Sequence, residues 1–357
     1  MTRAGASLYS RGMSLYSLAR PLLFALDPER AHHLAIGLAG AMPRRVVDHD
    51  PRLAVDLAGL RFPSPVGLAA GLDKDATAPD AFLGLGFGFV EVGTITPLPQ
   101  PGNPKPRLFR LAEDEAIINR MGFNSGGQDK AFERLRRRAG RPGIVGVNIG
   151  ANKDAADRIA DYAKGVARMA PVASYLTINI SSPNTPGLRA LQDEGALDAL
   201  LEAALAARPA GGPPIFLKVA PDLEPAEVDA IARVAIDRAV DALIVSNTTI
   251  SRPPLRSAQA GEAGGLSGAP LKPLALQRLR DFRVATGGQL PLIAAGGIAS
   301  GADAWARIKA GARLVQIYSA LIYRGPSLAR TVERELALLM AEEGHKRIET
   351  AVGSDCR

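Results

Sequence analysis

The stretch IVGVNIG at residues 144–150 is an apolar run with an asparagine and a glycine near its end, and YLTINIS repeats this form at 175–181. Six other runs have the same character: PVGLAAG (65–71), GFVEVGT (88–94), PIFLKVA (214–220), ALIVSNT (242–248), PLIAAGG (291–297) and LVQIYS (314–319). Apolar runs of this kind, each followed by helical spacing, are typical of parallel strands that are covered on both faces. Eight such units over about 265 residues predict an α/β fold, a (β/α)8 TIM barrel.

A doubly wound open sheet is the competing arrangement for alternating strands and helices. Such sheets usually have fewer strands, and their dinucleotide-binding members carry a G-x-G-x-x-G motif after the first strand. The segment GLGFGF at 84–89 lacks that spacing and precedes a strand. With 357 residues, 47% of them hydrophobic and 22% charged, the chain has room for one barrel and an appendage.

The charge distribution is uneven. The formal net charge is +7, and residues 1–47 contain six arginines against Asp27 and Glu29. This basic segment suits an anionic surface, although ordinary solubilising charge explains it too. Aromatic residues make up only 5% of the chain and no nucleic-acid-binding motif is found, so nucleic acid is not an expected partner. The single cysteine, Cys356, excludes a disulfide framework and indicates a reducing compartment.

The N-terminal segment 1–47 predicts two helices. Pro21 should kink or split the first helix, whereas Asp27 and Pro28 are a good cap and first-turn residue for the second. The apolar faces comprise Leu15, Leu18, Ala19, Leu22, Leu23 and Leu26 in the first helix, and Leu34, Leu38, Ala41 and Met42 in the second. From the residues alone, two interpretations stay open: the helices pack on the barrel, or they form a monotopic membrane foot lying in the interface.

Two further features delimit this segment. Its longest stretch without charged residues, 31–43, is too short to span a bilayer. The sequence LAVDLAGLRF (53–62), which follows it, alternates in polarity and predicts a hairpin that covers one end of the barrel.

Polar residues or glycines stand at the carboxyl end of nearly every predicted strand. They are Lys74, Thr94, Asn148, Asn179, Lys218, Asn247, Gly296, Gly297 and Ser319. In a TIM barrel these ends and the loops after them form the active-site face. One polar strand end means little, but so many on one face indicate a site.

The residue types on this face exclude two common kinds of active site. A serine nucleophile ordinarily needs a histidine base, and the four histidines all lie outside the predicted strands. No cluster of His, Asp and Glu with ligand spacing stands at the strand ends, so no metal is expected. The remaining amides, hydroxyls and two lysines suit a planar, polar heterocycle.

The segments near the last two strands suit a phosphate group, because TIM barrels often bind phosphate through the backbone there. These segments are GGLSG (264–268), AAGGI (294–298) and IYSAL (317–321). Flavin mononucleotide (FMN) is an economical ligand for such a face, and Lys218 would stabilise the charge of the reduced flavin. Two other roles for Lys218 stay open: a Schiff base, as in barrel aldolases, and a structural ion pair.

Seven longer motifs are more specific than any strand end. They are AAGLDKD (69–75), EVGTITPLPQPGNPKPRLFRL (91–111), NRMGFNS (119–125), NISSPNTPGL (179–188), SNTT (246–249), GGLSG (264–268) and LVQIYSAL (314–321). Together they resemble the dihydroorotate dehydrogenases, over about Leu15 to Arg330. In the soluble class of that family a cysteine stands in the loop equivalent to NISSPNTPGL. Ser182 and the LDPERAH stretch (26–32) instead match class 2, the membrane-associated, quinone-reducing enzymes.

This resemblance implies FMN-dependent oxidation of (S)-dihydroorotate to orotate in de novo pyrimidine biosynthesis. One FMN per chain is expected, with a membrane quinone, ubiquinone or menaquinone, as electron acceptor. The resemblance implies that Ser182 is the general base that removes the C5 proton while hydride leaves C6 for flavin N5. Because a free serine is a poor base, the proton must be passed on, through Thr185 or water.

The resemblance also implies the binding residues. For FMN they are Ala70, Gly71, Leu72, Asp73, Lys74, Thr94, Asn148, Asn179, Lys218, Ser246, Gly268, Gly297, Tyr318 and Ser319. For the substrate they are Lys74, Asn119, the backbone of Arg120, Met121, Gly122 and Phe123, and Asn179, Asn184, Asn247 and Thr248. For the quinone they are His32 and Arg110.

The expected organisation has three parts: an amphipathic extension at 1–47 that forms a quinone tunnel and membrane foot, an FMN-binding barrel at 48–340, and a flexible tail at 341–357. A peripheral protein on the cytoplasmic side of the inner membrane is expected. Met13 is an alternative start, in which case the twelve residues before it do not belong to the protein; if they do, they are expected to be disordered. A Schiff-base lyase and a membrane-docked binding barrel are the competing functions.

Overall fold

The computed structural model describes residues 15–356, and within that part the chain forms thirteen strands and eleven α-helices. The strands are β1 (Val55–Leu57), β2 (Leu60–Phe62), β3 (Val66–Leu68), β4 (Phe89–Ile95), β5 (Leu108–Leu111), β6 (Ala116–Asn119), β7 (Ile144–Ile149), β8 (Tyr175–Asn179), β9 (Ile215–Val219), β10 (Ala242–Val245), β11 (Gly265–Gly268), β12 (Leu292–Ala295) and β13 (Ala312–Ile317). The helices are α1 (Leu15–Ala25), α2 (Pro28–Ala41), α3 (Pro79–Gly84), α4 (Gln128–Arg136), α5 (Arg158–Met169), α6 (Glu194–Ala206), α7 (Pro225–Asp237), α8 (Lys272–Ala285), α9 (Gly301–Lys309), α10 (Ser319–Arg324) and α11 (Leu328–Glu342).

Eight of the strands form a closed parallel barrel in the order β10, β12, β13, β3, β4, β7, β8, β9. The barrel closes because β9 pairs with β10 and β13 pairs with β3. Every residue of β8, β9 and β10 is buried, which explains why these strands are continuous apolar runs in the sequence. Each barrel strand coincides with one predicted run, so the TIM barrel is confirmed and the doubly wound sheet is excluded.

The predicted hairpin is present as β1 and β2, which pair in antiparallel fashion. The ring of Phe62 at its end meets Phe89, the first residue of β4, with a centroid distance of 5.1 Å. Tyr175, the first residue of β8, stacks on Phe216 at 4.6 Å. These buried rings fill the amino-terminal end of the barrel, so a site must lie at the carboxyl end.

A small antiparallel sheet, not predicted from the sequence, has β6 at its centre, with β5 on one side and β11 on the other. It has its own hydrophobic cluster, which comprises Phe109, Leu111, Ala116, Ile118 and Leu266. Ile117 and Ser267, which contact each other across it, are 150 residues apart in the chain. The strands are too short and too distant in sequence for a local pattern to show their pairing.

The two predicted N-terminal helices are α1 and α2, which we call the foot. Asp27 caps α2 by accepting hydrogen bonds from the backbone N–H groups of Glu29 and Arg30, as predicted. Helix α1 continues through Pro21, so the predicted split does not occur. No helix within residues 15–356 is long and apolar enough to cross a membrane. The alternative start Met13 and the twelve residues before it lie outside the described residues.

The C-terminal segment 341–357, predicted to be a flexible tail, is packed on the barrel as far as it is described. After α11 the side chains of Ile348 and Ala351 are fully buried. The backbone N–H of Gly353 donates to the carbonyl of Ile308 in α9 at 3.0 Å. The sequence did not indicate this packing, because single, widely spaced apolar residues anchor the segment and no periodicity marks them.

Candidate active site

A cavity of about 1370 Å³, counted with its open mouth, lies at the carboxyl ends of the barrel strands. The strand ends, the small sheet and His32 of α2 form its wall, and Ser182 lines it. Most of the residues predicted to bind cofactor or substrate line it as well: Ala70, Gly71, Lys74, Thr94, Asn119, Met121, Gly122, Phe123, Asn179, Asn184, Lys218, Ser246, Asn247, Thr248, Gly268, Gly297, Tyr318 and Ser319. The fold therefore brings most of the predicted site residues to one place.

Neutral side chains at the ends of β4, β7, β8 and β10 form one hydrogen-bonded network. Asn179 Nδ2 donates to Asn148 Oδ1 at 3.0 Å and to Thr94 Oγ1 at 3.1 Å. Asn179 Oδ1 accepts from Ser181 Oγ at 2.9 Å, and Asn247 Nδ2 donates to the same hydroxyl at 2.9 Å. Because each amide has a donor end and an acceptor end, these bonds fix the orientation of every member.

The loop after β8 carries Ser182, which is buried. Its Oγ accepts a hydrogen bond from Asn184 N at 3.3 Å, and within residues 15–356 it has no hydrogen bond to a histidine or carboxylate. Asn184 Nδ2 donates to Asn119 Oδ1 at 3.2 Å and so joins the loop to the small sheet. Thr185 Oγ1 is buried and has no hydrogen-bond partner in the described part of the chain. This geometry does not support a serine triad.

Two lysines reach the cavity, the buried Lys218 at β9 and the half-buried Lys74 after β3. Burial, together with a smaller effect of the charge of Arg107, lowers the pKa of Lys74 to about 8. Burial also lowers the pKa of Lys218, which the carboxylate of Glu91 partly offsets. Among the residues that the structure describes, none accepts a hydrogen bond from either ammonium group. Two ammonium groups without a protein hydrogen-bond acceptor among the described residues suit an anionic or electron-rich ligand.

Glycine backbone forms another part of the cavity wall. Gly268 and Gly297 have φ values of 95° and 69°, which favour glycine. A Cβ at Gly268 would lie 2.3 Å from the carbonyl oxygen of Glu115, so a side chain there does not fit. Near these glycines the hydroxyls of Ser267 and Ser319 lie 2.7 Å apart. Bare backbone and hydroxyls are the groups that commonly bind phosphate oxygens.

The family model described as dihydroorotate dehydrogenase matches residues 52–340 of the chain. A protein of Erythrobacter litoralis named dihydroorotate dehydrogenase (quinone) is 66% identical over 342 residues, which cover 96% of this chain and 100% of that protein. The chain belongs to the dihydroorotate dehydrogenase family. A protein of the same name from Sphingopyxis alaskensis is 64% identical over 343 residues, covering 95% of this chain and 96% of the relative.

Solved structures of the dihydroorotate dehydrogenase family agree with this assignment. The crystal structure of the enzyme from Eimeria tenella in complex with ferulenol matches with a TM-score of 0.89 and 45% identity, covering 94% of this chain and 99% of that one. The ligand-free structure from the same organism matches with a TM-score of 0.88 and 47% identity, covering 93% of this chain and 100% of that one. The predicted resemblance to quinone-dependent members of the family is confirmed.

Three residues predicted to bind FMN do not line the cavity with their side chains. Asp73 instead accepts hydrogen bonds from the backbone N–H groups of Thr77 and Ala78, at 2.8 Å each, and so holds the loop after β3. Leu72 belongs to the hydrophobic core. Asn148 supports the cavity indirectly, through Asn179. These three side chains lie behind the residues that line the cavity and help to position them.

The side chain of Arg120 also lies outside the cavity wall, as expected if only its backbone serves the substrate. Its guanidinium pairs with Glu262 at 2.7 Å and lies over the ring of Phe109 at 4.5 Å. These contacts place the side chain on the small sheet.

The two residues predicted for the quinone have different positions. His32 lines the cavity, and burial together with the charge of Lys74 lowers its pKa to about 4, so the ring is neutral at pH 7. Arg110 does not line the cavity; its guanidinium donates to the backbone carbonyls of Leu23 and Phe24 at 3.0 and 3.2 Å. Arg110 thereby ties α1 to the small sheet.

The structure adds polar residues that the sequence analysis did not select. Glu91 is a fully buried carboxylate inside the barrel that accepts hydrogen bonds from Asn148 Nδ2 and Gln316 Nε2, both at 2.8 Å, and from Tyr175 OH at 3.1 Å. The sequence carried a signal for Glu91 and for Gln316, because each is a polar residue within an otherwise apolar strand. Ser267 lies in the GGLSG segment that was predicted to suit a phosphate, but its side chain was not singled out, since its position depends on the small sheet.

Proposed function

We propose that this chain oxidises (S)-dihydroorotate to orotate, a step of de novo pyrimidine biosynthesis, with bound FMN and a membrane quinone as the final electron acceptor. One observation carries the proposal beyond family membership. Ser182, the amide network and two lysines without protein acceptors within residues 15–356 meet at one cavity. That combination suits a polar heterocyclic substrate and an anionic cofactor.

The wall of the cavity fits FMN in its chemistry. Gly268 and Gly297, with the hydroxyls of Ser267 and Ser319, suit the phosphate, and Lys218 suits the electron-rich edge of the ring. Bound FMN supplies a hydride acceptor and a store of electrons for the quinone. The residues proposed to hold it with side chain or backbone are Ala70, Gly71, Leu72, Asp73, Lys74, Thr94, Asn148, Asn179, Lys218, Ser246, Gly268, Gly297, Tyr318 and Ser319.

Ser182 is the proposed general base, which takes the proton from C5 of dihydroorotate. Because its Oγ receives only the N–H of Asn184 within the described residues, its lone pairs are not engaged by a strong donor. A serine cannot keep the proton at neutral pH, so the proton must move on. Thr185, whose hydroxyl is buried without a partner in the described part of the chain, is the proposed next carrier to water.

The amides and Lys74 are proposed to hold the substrate. A pyrimidinedione presents donors and acceptors along one edge, which asparagine amides match. The ammonium group of Lys74 suits the carboxylate of the substrate, since no protein acceptor among the described residues occupies it. The proposed set is Lys74, Asn119, the backbone of Arg120 to Phe123, Asn179, Asn184, Asn247 and Thr248.

The foot is proposed to lie in the membrane interface on the cytoplasmic side of the inner membrane and to admit ubiquinone or menaquinone. Leu22 and Leu38 are 75% and 61% exposed, although they lie on the predicted apolar faces of their helices. His32 of α2 lines the cavity, so the foot leads to the site. A route from lipid to flavin requires exposed leucines to contact the lipid and a residue such as His32 that faces the cavity.

An anaerobic absorbance spectrum tests the proposal. The purified protein should be yellow, dihydroorotate should bleach the flavin bands, and a short-chain quinone should restore them. A protein that is colourless and takes up no FMN, or a flavin that dihydroorotate leaves oxidised, would refute it. Covalent trapping of substrate on Lys218 by borohydride would instead favour a Schiff-base lyase.

A further inference from the structure

Residues 296–299, in the loop between β12 and α9, all line the cavity. Gly296 and Gly297 have φ values of 104° and 69°, so two successive residues require glycine. A Cβ at Gly297 would lie 2.5 Å from Cα and 2.7 Å from N of Lys272, the first residue of α8. We call residues 296–299 the glycine loop; it is packed directly against the start of α8.

One face of α9 holds the glycine loop through two charged side chains four residues apart. Arg307 Nη2 donates to the carbonyls of Gly296 at 3.0 Å and Lys272 at 2.8 Å, so one nitrogen joins the loop to α8. Asp303 Oδ2 accepts from Ala299 N at 2.9 Å, and its Oδ1 lies 2.7 Å from Lys272 Nζ. Both ends of the loop are therefore held from outside the cavity.

Arg307 keeps a positive charge beside the glycine loop. Its side chain is 2% exposed, which is rare for arginine, and although burial lowers its pKa to about 10 it remains charged at pH 7. Its partners at Nη2 are neutral carbonyls and Nη1 has no partner within residues 15–356. The carboxylate of Asp303 attracts Arg307 electrostatically, but it also pairs with Lys272. A buried cation that shares its carboxylate with a second cation is costly unless another anion lies close to it.

We propose that Arg307 is a positioning residue for the phosphate group of the flavin. It holds the glycine loop in the conformation that receives a phosphate monoester, and it places behind that loop a positive charge that Asp303, shared with Lys272, balances only in part. This inference rests on the proposed function, because FMN is the ligand that brings the phosphate. It follows that a side chain outside the cavity wall controls the preference for FMN over riboflavin, which has the same ring but no phosphate.

The test compares FMN and riboflavin binding to the full-length chain after its flavin has been removed, by quenching of flavin fluorescence. The variants are Arg307→Met, which removes the charge and both hydrogen bonds, and Arg307→Lys, which keeps the charge. Lys309→Met is the matched control, because Lys309 lies on the same helix but pairs with Glu343 and Asp355 instead of the loop.

Arg307→Met should weaken FMN binding by roughly tenfold or more, the scale of one charge-assisted hydrogen bond, and leave riboflavin binding within about threefold. Arg307→Lys should fall between Arg307→Met and the unchanged protein, since an ammonium group cannot reproduce the planar guanidinium. Lys309→Met should bind both flavins normally.

The inference is overturned if Arg307→Met weakens FMN and riboflavin equally, or neither, or if the unchanged protein does not prefer FMN. Should Arg307→Met fail to fold, Arg307→Lys decides by the same comparison: a loss confined to FMN supports the inference, and equal effects on both flavins overturn it. An unchanged protein that binds neither flavin would refute the proposed function itself, which distinguishes the two failures.

Discussion

The cavity and the foot invert the usual placement of polar and apolar side chains. At the cavity Thr94, Asn179 and Lys218 are buried, whereas Leu22 and Leu38 of the foot are exposed. Stability alone favours the reverse in both places. The difference teaches that each region is adapted to what it is proposed to meet, polar ligands in the cavity and lipid at the foot.

A short chain of contacts joins the two regions. The carboxylate of Glu29 in α2 receives both Nη2 and Nε of Arg107, at 2.7 and 3.2 Å, and the pair is buried. Arg107 Nη1 also donates to the carbonyl of Asn103, whose Nδ2 donates to the carbonyl of Asn184. The foot therefore contacts the loop that carries Ser182 through three residues.

The largest effect is expected at the cavity, from Ser182→Ala. Loss of a general base should slow flavin reduction by dihydroorotate at pH 7 by roughly 10²- to 10⁴-fold, while orotate still binds. Stopped-flow absorbance measures the rate, and Ser251→Ala, an exposed serine in the loop after β10, should react normally. A slowing below tenfold would remove Ser182 from the proposed mechanism.

Glu29→Gln should break the chain of contacts between the foot and the cavity, because it leaves Arg107 buried without its counter-charge. Loss of one partner of a buried pair should favour release of α2 from the barrel by about 3 kcal/mol, seen as faster amide hydrogen exchange in α2. The exposed pair of Glu133 and Arg136 provides the control, and Glu133→Gln should change little. Equal exchange in both variants would show that the pair does not hold the foot.

The same pair predicts a dependence on pH. Burial alone would raise the pKa of Glu29, but the hydrogen bonds and charge of Arg107 hold it at about 2, below its ordinary value of 4.5. A carboxyl group with a lowered pKa stabilises the folded contact above pH 4.5, and this contribution is lost as the pH falls towards 2. The protection factors of the α2 amides, which correct for the slower intrinsic exchange at low pH, should therefore fall over that range, and less so in Glu29→Gln.

At the foot, Leu22→Asp should reduce affinity for anionic phospholipid vesicles by roughly tenfold, the effect of withdrawing one leucine from lipid. The unfolding free energy should stay unchanged, because Leu22 is exposed. Val284→Asp is the control, since Val284 on α8 is 80% exposed but belongs to the barrel. Co-sedimentation with vesicles measures the difference, and equal losses in both variants would contradict the membrane role of the foot.

The smallest effect is expected from the titration of Lys74. Its pKa of about 8 means that the ammonium group loses its charge as the pH rises above 8, so orotate affinity should fall by roughly threefold to tenfold between pH 7 and 9.5. Flavin absorbance during orotate titration reports the affinity. Lys74→Met should abolish the dependence, and the exposed Lys153→Met should retain it. A dependence that survives in Lys74→Met would assign it to another group.

The barrel and most of the cavity could be predicted because their signals are local. A parallel strand buried on both faces is a continuous apolar run, and its carboxyl end places residues such as Asn179 and Lys218 on one known face. The sequence motifs then selected residues within that face. The side chains of Leu72 and Asp73 do not line the cavity, and a motif match could not show this because it does not indicate which way a side chain points.

The remaining features depend on contacts between distant parts of the chain. Arg307 follows Asp303 by four residues and resembles an ordinary surface cation, and only the packing of α9 against the glycine loop buries it. The small sheet and the packing of segment 341–356 on the barrel were not predicted, for the same reason. Propensity and periodicity describe neighbours in sequence, whereas these features are set by tertiary packing.

The closure of the barrel by β13 has a consequence for how the protein is made. Leu22 and Leu38 leave the ribosome about 270 residues before β13 does, and the partners of α1 at Ile322 and Tyr323 follow later still. At a synthesis rate of roughly 5–20 residues per second, the leucines of the foot stay exposed on the nascent chain for on the order of ten to fifty seconds before the barrel can close. The apolar helices of the foot are therefore accessible to other surfaces before the barrel and its cavity have formed.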